Sequence, residues 1–457
     1  MFFILVTGML LQMAAFAQVV VTSAADDGSL GTLRQTIASA TNSEMITFAS
    51  NLSGSIILLN NPLTINTNLT IDASMLPGGI QINGQDSNGV FDVTSGTTNV
   101  VLNRLTITDG NADTNNGGGI YNTGMLTLNQ CTLSQNSATY FGGGIYNAGT
   151  LTVNQSTLSE NMTESLSEVG IYNIGGGCIY NTGTLMVNEC TLSGNTSAYY
   201  GGCIYNTGTL MVNECTLSGN TSTYYGGCIY NTGTLMVNQT TLSGNTAISF
   251  PCGGIYNSGT LMTITNTIVA GNSGISSQSA DIDDAGALLI FGGANIIEGL
   301  ASSAGDNIIG SIPLNASPQL AALGNYGGPT LTMPPLYGSP AIDAANDSAT
   351  NIFATDQRGY PRLSGEHVDI GAVEVQVATT PPMLESPTQL GNGAFQFSFT
   401  NLIGGSFTVF ASTNVALPLN EWLDLGTAIE NPVGSGYFQF TDSQASNMTR
   451  FYYIHSP

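Results

Sequence analysis

GGCIYNTGTLMVNECTLSGNTS occupies residues 176–197 and, letter for letter, residues 201–222. Around this pair the motif recurs from residue 119 to residue 272. Tyr121, Tyr146, Tyr180, Tyr205, Tyr230 and Tyr256 mark equivalent positions at intervals of 25, 34, 25, 25 and 26, so one copy alone carries a sizeable insertion. A short fixed period means stacked units that share one core, not independent domains.

Inside a copy the apolar pattern has period 2. In Leu210-Met211-Val212-Asn213, Leu and Val share one face and Met and Asn the other, which is strand and not helix. Gly201-Gly202, Thr207-Gly208 and Ser218-Gly219-Asn220 punctuate the copy and leave room for three short strands. The expected fold is all-β, a right-handed parallel β-helix with three-strand coils of about 25 residues. Its coils pair in parallel about 4.8 Å apart, so like residues stack into columns.

Leu126, Leu151, Leu185, Leu210, Leu235 and Leu261 form one expected apolar column, and Leu133, Leu158, Leu192, Leu217 and Leu242 another. Asn136, Asn161, Asn195, Asn220, Asn245 and Asn272 form a polar column at a bend, where stacked amides bond to each other and to the turn backbone. The cysteines follow the same logic. Cys178, Cys203 and Cys228 share a column, and Cys131, Cys190 and Cys215 share another that Ser156 and Thr240 complete. Stacked Cβ atoms about 4.8 Å apart exceed the roughly 3.8 Å that a disulfide prefers, so these are read as ladders of small residues. No histidine precedes His367 and no CxxC pair occurs, which argues against a zinc site in these columns. Glu189 and Glu214 are expected to stack on an outer face as tolerated like charges.

The chain has 457 residues, 57 of them glycine, with 7% charged residues, no lysine and a formal net charge of −24. Nucleic acid and anionic membrane surfaces both require a basic face, so neither is an expected partner. Residues 1–17 read as a signal peptide, a short apolar run ending in Ala15-Phe16-Ala17, although no basic residue precedes the run. No later stretch reaches the roughly 18 apolar residues of a membrane span.

Residues 18–92 read as an N-terminal cap and first irregular coils, with a helix near residues 30–40 covering the open end of the stack. Residues 93–377 read as β-helix, with regular repeats over 117–272 and closing coils to 377. Residues 378–384, which include Thr379-Thr380-Pro381-Pro382, read as a linker, and residues 385–457, with the one tryptophan Trp422, as a small β-sandwich.

Three sets of motifs carry a resemblance. LRQTI at residues 33–37, after VVVTSAADDGSLGT and before ITF, resembles the N-terminal CSLREAI domain, with Thr32 just before Leu33 and no cysteine there. GNYGGPT at 324–330, GSPAID at 338–343, DQRGYPR at 356–362 and VDIGA at 368–372 resemble the end of choice-of-anchor Q proteins. The GGGIYN and SGN elements resemble polymorphic outer-membrane repeats. Together these imply a bacterial surface or secreted β-helix related to the pectate-lyase-like superfold, and they imply no defined chemistry.

Pectate-lyase chemistry needs a basic proton acceptor, and none stands between Arg104 and Arg358. A hydrolase needs two or three carboxylates across a groove. The candidates are Asp281, Asp283 and Asp284, with Asp306 about one coil later, and the first three are also the candidate calcium ligands. No other cofactor is expected. Asp356, Arg358, Arg362 and Asp369 read as charge-assisted pins for terminal loops, and His367 and His455 lack any nucleophile motif around them.

The candidate binding residues are Tyr140, Phe141, Tyr199, Tyr200, Tyr224 and Tyr225, which recur at one bend with Phe250 near the next. Such a ridge can stack on sugars, dock a protein or simply cover the coil edge. The expectation is a non-catalytic secreted or cell-surface protein with a structural, adhesive or binding role toward an extracellular polysaccharide or surface protein. Polysaccharide hydrolysis is the alternative, to be marked by a groove with two carboxylates about 5–10 Å apart.

Overall fold

In the computed structural model, residues 18–94, 99–112, 116–164, 175–275, 281–302, 307–377, 381–445 and 449–456 are described. The signal-peptide segment 1–17, Asp306 and linker residues 378–380 lie outside them.

The repeat folds as a right-handed parallel β-solenoid of about ten turns. In the coil of Tyr205 the strands are Ile204–Asn206, Thr209–Asn213 and Thr216–Ser218, and a two-residue fourth, Thr221–Ser222, joins the three expected ones. Stacked over the chain they make parallel sheets of ten, twelve, ten and six strands. Register is strict: Tyr180 pairs with Tyr205 and Tyr205 with Tyr230, and Leu185 with Leu210 and Leu210 with Leu235. Leu210, Val212 and Leu217 are fully buried and belong to one core that runs from the N-terminal cap to the last coils. The tight coil corner explains the glycine doublet. Gly201 has φ +60°, and a Cβ there would lie 2.3 Å from the carbonyl oxygen of Ile204.

One column departs from the expected register. Leu261 pairs with Thr234, and Met262, fully buried, continues the leucine column opposite Leu235. The turn after Asn257 holds one residue more than the turn after Asn231, and a one-residue shift exchanges every inward and outward side chain of the strand Leu261–Thr265.

At the N-terminus the strand Gln18–Val21 pairs with Glu44–Phe48, and the helix Leu33–Ser39 lies between them in sequence. Thr32 caps it by accepting a hydrogen bond from the Gln35 amide, and Leu33, Thr36 and Ile37 are buried against the open coil end. Arg34 holds the cap down. It donates from Nε and Nη2 to the two oxygens of Asp26 at 2.8 Å each and reaches the carbonyls of Asn61 and Pro62.

The last solenoid strand in chain order is Asn307–Gly310. After it, Leu314 adds one parallel bridge on Ile296, and the chain then leaves the coil stack. Residues 315–377 run back as a strap across the outer face of the sheet that contains Thr216–Ser218. Gln357 donates to the Cys190 carbonyl and accepts from the Thr216 hydroxyl, and the Ala372 amide donates to Thr241 Oγ1. Ala341 and Ile370 bury against Ile268, Ala270 and Ile296. Glu214, expected on an open face, is therefore buried at 4% exposure, because the strap lays Arg362 over it at 3.5 Å.

Residues 385–445 and 449–456 form two antiparallel sheets, of four and three strands, around Phe397, Phe399, Phe407 and Phe438. Four of their strands are Phe395–Thr400, Thr408–Ser412, Tyr437–Asp442 and Phe451–His455.

Candidate functional site

The predicted aromatic bend is one half of a larger feature. Tyr199 stacks on Tyr224 with centroids 5.2 Å apart and planes 4° apart, and Phe250 continues the ridge 4.2 Å from Tyr225. The second half is the tyrosine of each IYN strand, which faces outward beside the bend. Tyr200 packs on Tyr230 at 4.7 Å, Tyr225 on Tyr256 at 4.5 Å and Phe141 on Tyr180 at 4.3 Å. Bend and strand thus fuse into one aromatic band parallel to the solenoid axis. The strand tyrosines served the sequence reading only as position markers. The signal that finds them is period 2: in IYN, isoleucine and asparagine are buried and tyrosine points out.

Every ring of the band is half-buried. Stacking uses up ring faces, so most of the band shows edges and hydroxyl groups to solvent. Burial raises the hydroxyl pKa of Tyr180 and Tyr200, and that of Tyr230 to about 12. The hydroxyls therefore stay neutral at physiological pH and act as donors and acceptors. Among the described residues, Gly175 holds the place between Phe141 and Tyr200 and pairs with both. Tyr205 turns into that space. It stands at 77° to Tyr180 and 76° to Tyr230, and a Cβ on Gly175 would fall 2.3 Å from its Cδ1.

The three described candidates, Asp281, Asp283 and Asp284, do not converge on one site. Asp281 is buried and accepts from the amide nitrogen and Nδ2 of Asn272 at 3.0 and 2.8 Å, which makes it the last rung of the predicted asparagine ladder. Burial lifts its pKa to about 6, against the lowering by those hydrogen bonds. Asp284 ends a second ladder of fully buried side chains, Asn122, Asn147, Asn181, Asn206, Asn231 and Asn257, and accepts from Asn257 Nδ2 at 2.5 Å. Asp283 points to the opposite face and continues the tyrosine column above Tyr256. Among the described residues no three His, Cys, Asp or Glu side chains are grouped to hold a metal ion.

The motif-rich strap gathers charge under cover. Arg358 donates from Nε and Nη2 to Asp356 Oδ2 at 2.9 and 2.8 Å, and from Nη2 to the Glu374 carbonyl at 2.6 Å. Asp369 accepts from the amides of Asp343 and Val375, and Glu374 from those of Ser364 and Asp369. Burial raises the pKa of Asp369, Glu374 and Glu214, the last to about 8. These bonds tie the loops of the strap to one another, along the side of the solenoid and not at its end, and Arg362 reaches Glu214 on the solenoid itself. His367 pairs with Asp347 on the surface, and His455 packs against Tyr337.

The fold and its surface define a class, a capped parallel β-solenoid with an aromatic band on one flank and a strap on another. No family model matches the chain, and no curated protein matches it. Among the described residues no helix is long and apolar enough to cross a membrane.

Proposed function

We propose that this chain is an exported, surface-associated solenoid that binds its partner, an extracellular polysaccharide or a surface protein, through the aromatic band. The observation that carries the reading is the band itself. Tyrosine offers a large, stiff, amphipathic contact at small entropic cost, and rows of it are what recognition surfaces use. The rings of the band carry no charge themselves on a chain of net charge −24, and in the strand column carboxylates stand at the two ends, at Asp92 and Asp283. Coil duplication lengthens such a surface while keeping its pattern, which suits adhesion better than an asymmetric reaction centre.

Export is supported by residues 2–17. Kinship with CSLREAI and choice-of-anchor Q proteins is the finer part of the proposal, supported by motif residues in architectural roles, Arg34 in the cap and Arg358 in the strap. Replacement of Tyr199, Tyr200, Tyr224 and Tyr225 together by alanine tests the binding role. The folded variant is expected to lose adhesion to insoluble polysaccharide or to cells; adhesion equal to that of the parent protein would refute it.

A further inference from the structure

The aromatic column has an open end. Tyr121 stacks on Tyr146 with centroids 5.0 Å apart and planes 5° apart, which occupies one face of its ring. On the other side the register supplies Asp92 and then Thr64, with no further ring. The bend aromatics start one coil later as well, because Asn116 stands where the next coil has Phe141. A cleft of about 470 Å³ results, lined by Tyr121, Asp92, Asn88, Asn111, Asn116 and Pro62. That volume lies within the range of small-molecule sites.

We infer that this cleft binds a neutral saccharide, with one sugar ring laid on the open face of Tyr121 and neighbouring sugar hydroxyls donating to the Asp92 carboxylate. The inference rests on the band being a contact surface, and it adds a specific subsite at one end. Asp92 is half-buried and has no hydrogen-bond partner among the described residues, so an acceptor stands ready without a donor. Burial raises its pKa above the usual carboxylate value, as expected for a charge that lacks a partner. Asn88, Asn111 and Asn116 add amides that both donate and accept, which suits hydroxyl groups. A uronate would meet Asp92 as a like charge. A quaternary cation is best held by several ring faces, and this cleft offers one.

Isothermal titration calorimetry of the full chain with cellotetraose, chitotetraose, mannotetraose, galactotetraose, tetragalacturonate and tetramethylammonium tests the inference. At least one neutral tetrasaccharide is expected to bind. Asp92→Asn and Tyr121→Leu, with unchanged circular dichroism, are each expected to weaken it at least about tenfold. The control Val415→Ser, exposed beside the C-terminal sheets, is expected to bind the saccharide like the parent, and the ridge variant lacking Tyr199, Tyr200, Tyr224 and Tyr225 is compared in adhesion alone. No binding of any neutral probe, binding that survives both cleft substitutions, or a preference for tetragalacturonate or tetramethylammonium would overturn it. If the cleft fails while the ridge variant still loses adhesion, the saccharide subsite falls and the contact role of the band stands.

Discussion

Asn220 shows how much one polar residue carries when it repeats. Its Oδ1 accepts from the amide nitrogen and Nδ2 of Asn195 at 3.0 and 2.9 Å, and its Nδ2 donates to the Leu192 carbonyl and to Asn245 Oδ1 at 3.0 and 2.8 Å. All of this happens at zero exposure. Asn220→Ala strands several groups at once, each costing about 1–3 kcal/mol, so a loss on the order of 3 kcal/mol or more is expected in urea unfolding. Asn154 belongs to a half-buried outer ladder with Asn129 and Asn188, and its change to alanine should cost about 1 kcal/mol or less. Equal midpoint shifts for the two variants would contradict the burial argument. The cysteines make a second case. All seven are free and buried, and the Cys131 amide donates to Ser156 Oγ just as the Cys190 amide donates to Cys215 Sγ. Burial drives the thiol pKa of Cys131 to about 12 and those of Cys203, Cys215 and Cys252 well above the ordinary value. A thiol reagent should therefore find no reactive cysteine in the native protein at pH 8, and seven after unfolding without reductant. A count below seven in the unfolded chain would mean bridging.

Among the elements, the N-terminal helix has the clearest task, since an uncovered coil end exposes both apolar core and unpaired strand edges. Arg34→Ala leaves the carboxylate of Asp26, itself 1% exposed, with only the Asn60 amide as a direct donor. A destabilisation on the order of 2 kcal/mol is expected, with concentration-dependent association in light scattering as the end opens. A variant as stable and monodisperse as the parent would show that the helix is not held this way. The helix, the coil period and most columns were legible in the sequence because each is a local pattern. The place of Leu261 was not legible, because the register there depends on one extra residue in the turn before it. The inner ladder through Asn122 and Asn206 went unread because its asparagines follow the more conspicuous tyrosines of the IYN strands.

The whole molecule adds what no local pattern contains. Residues 315–377 have no periodicity, so nothing in their sequence places them over Thr191, Thr216 and Thr241 or predicts the burial of Glu214. The aromatic ridge was legible as a recurrence, and its fusion with the strand tyrosines was not, because that contact joins two sides of a coil corner. Strap docking also implies a pH dependence. Glu214, Asp369 and Glu374 all have pKa values raised by burial, so the folded state prefers them protonated. Their contribution is complete below the ordinary carboxyl range near pH 4 and declines as pH rises through about 8. The thermal midpoint should therefore fall between pH 5 and pH 9, and Glu214→Gln with Glu374→Gln should flatten the profile. A parent midpoint that does not change over this range would contradict the buried-acid account.

The most direct test of a binding surface built by repetition is a series that differs by whole coils. Excision of residues 201–225 presents Thr157 and Glu189 to the strap where Thr191 and Glu214 stood, and duplication of the same residues presents identical side chains, so the strap contacts persist in both. Retention of each protein on the surface that binds the parent should decrease with one coil fewer and increase with one coil more. Retention that is the same for all three folded proteins would contradict the claim that the aromatic band is the contact surface.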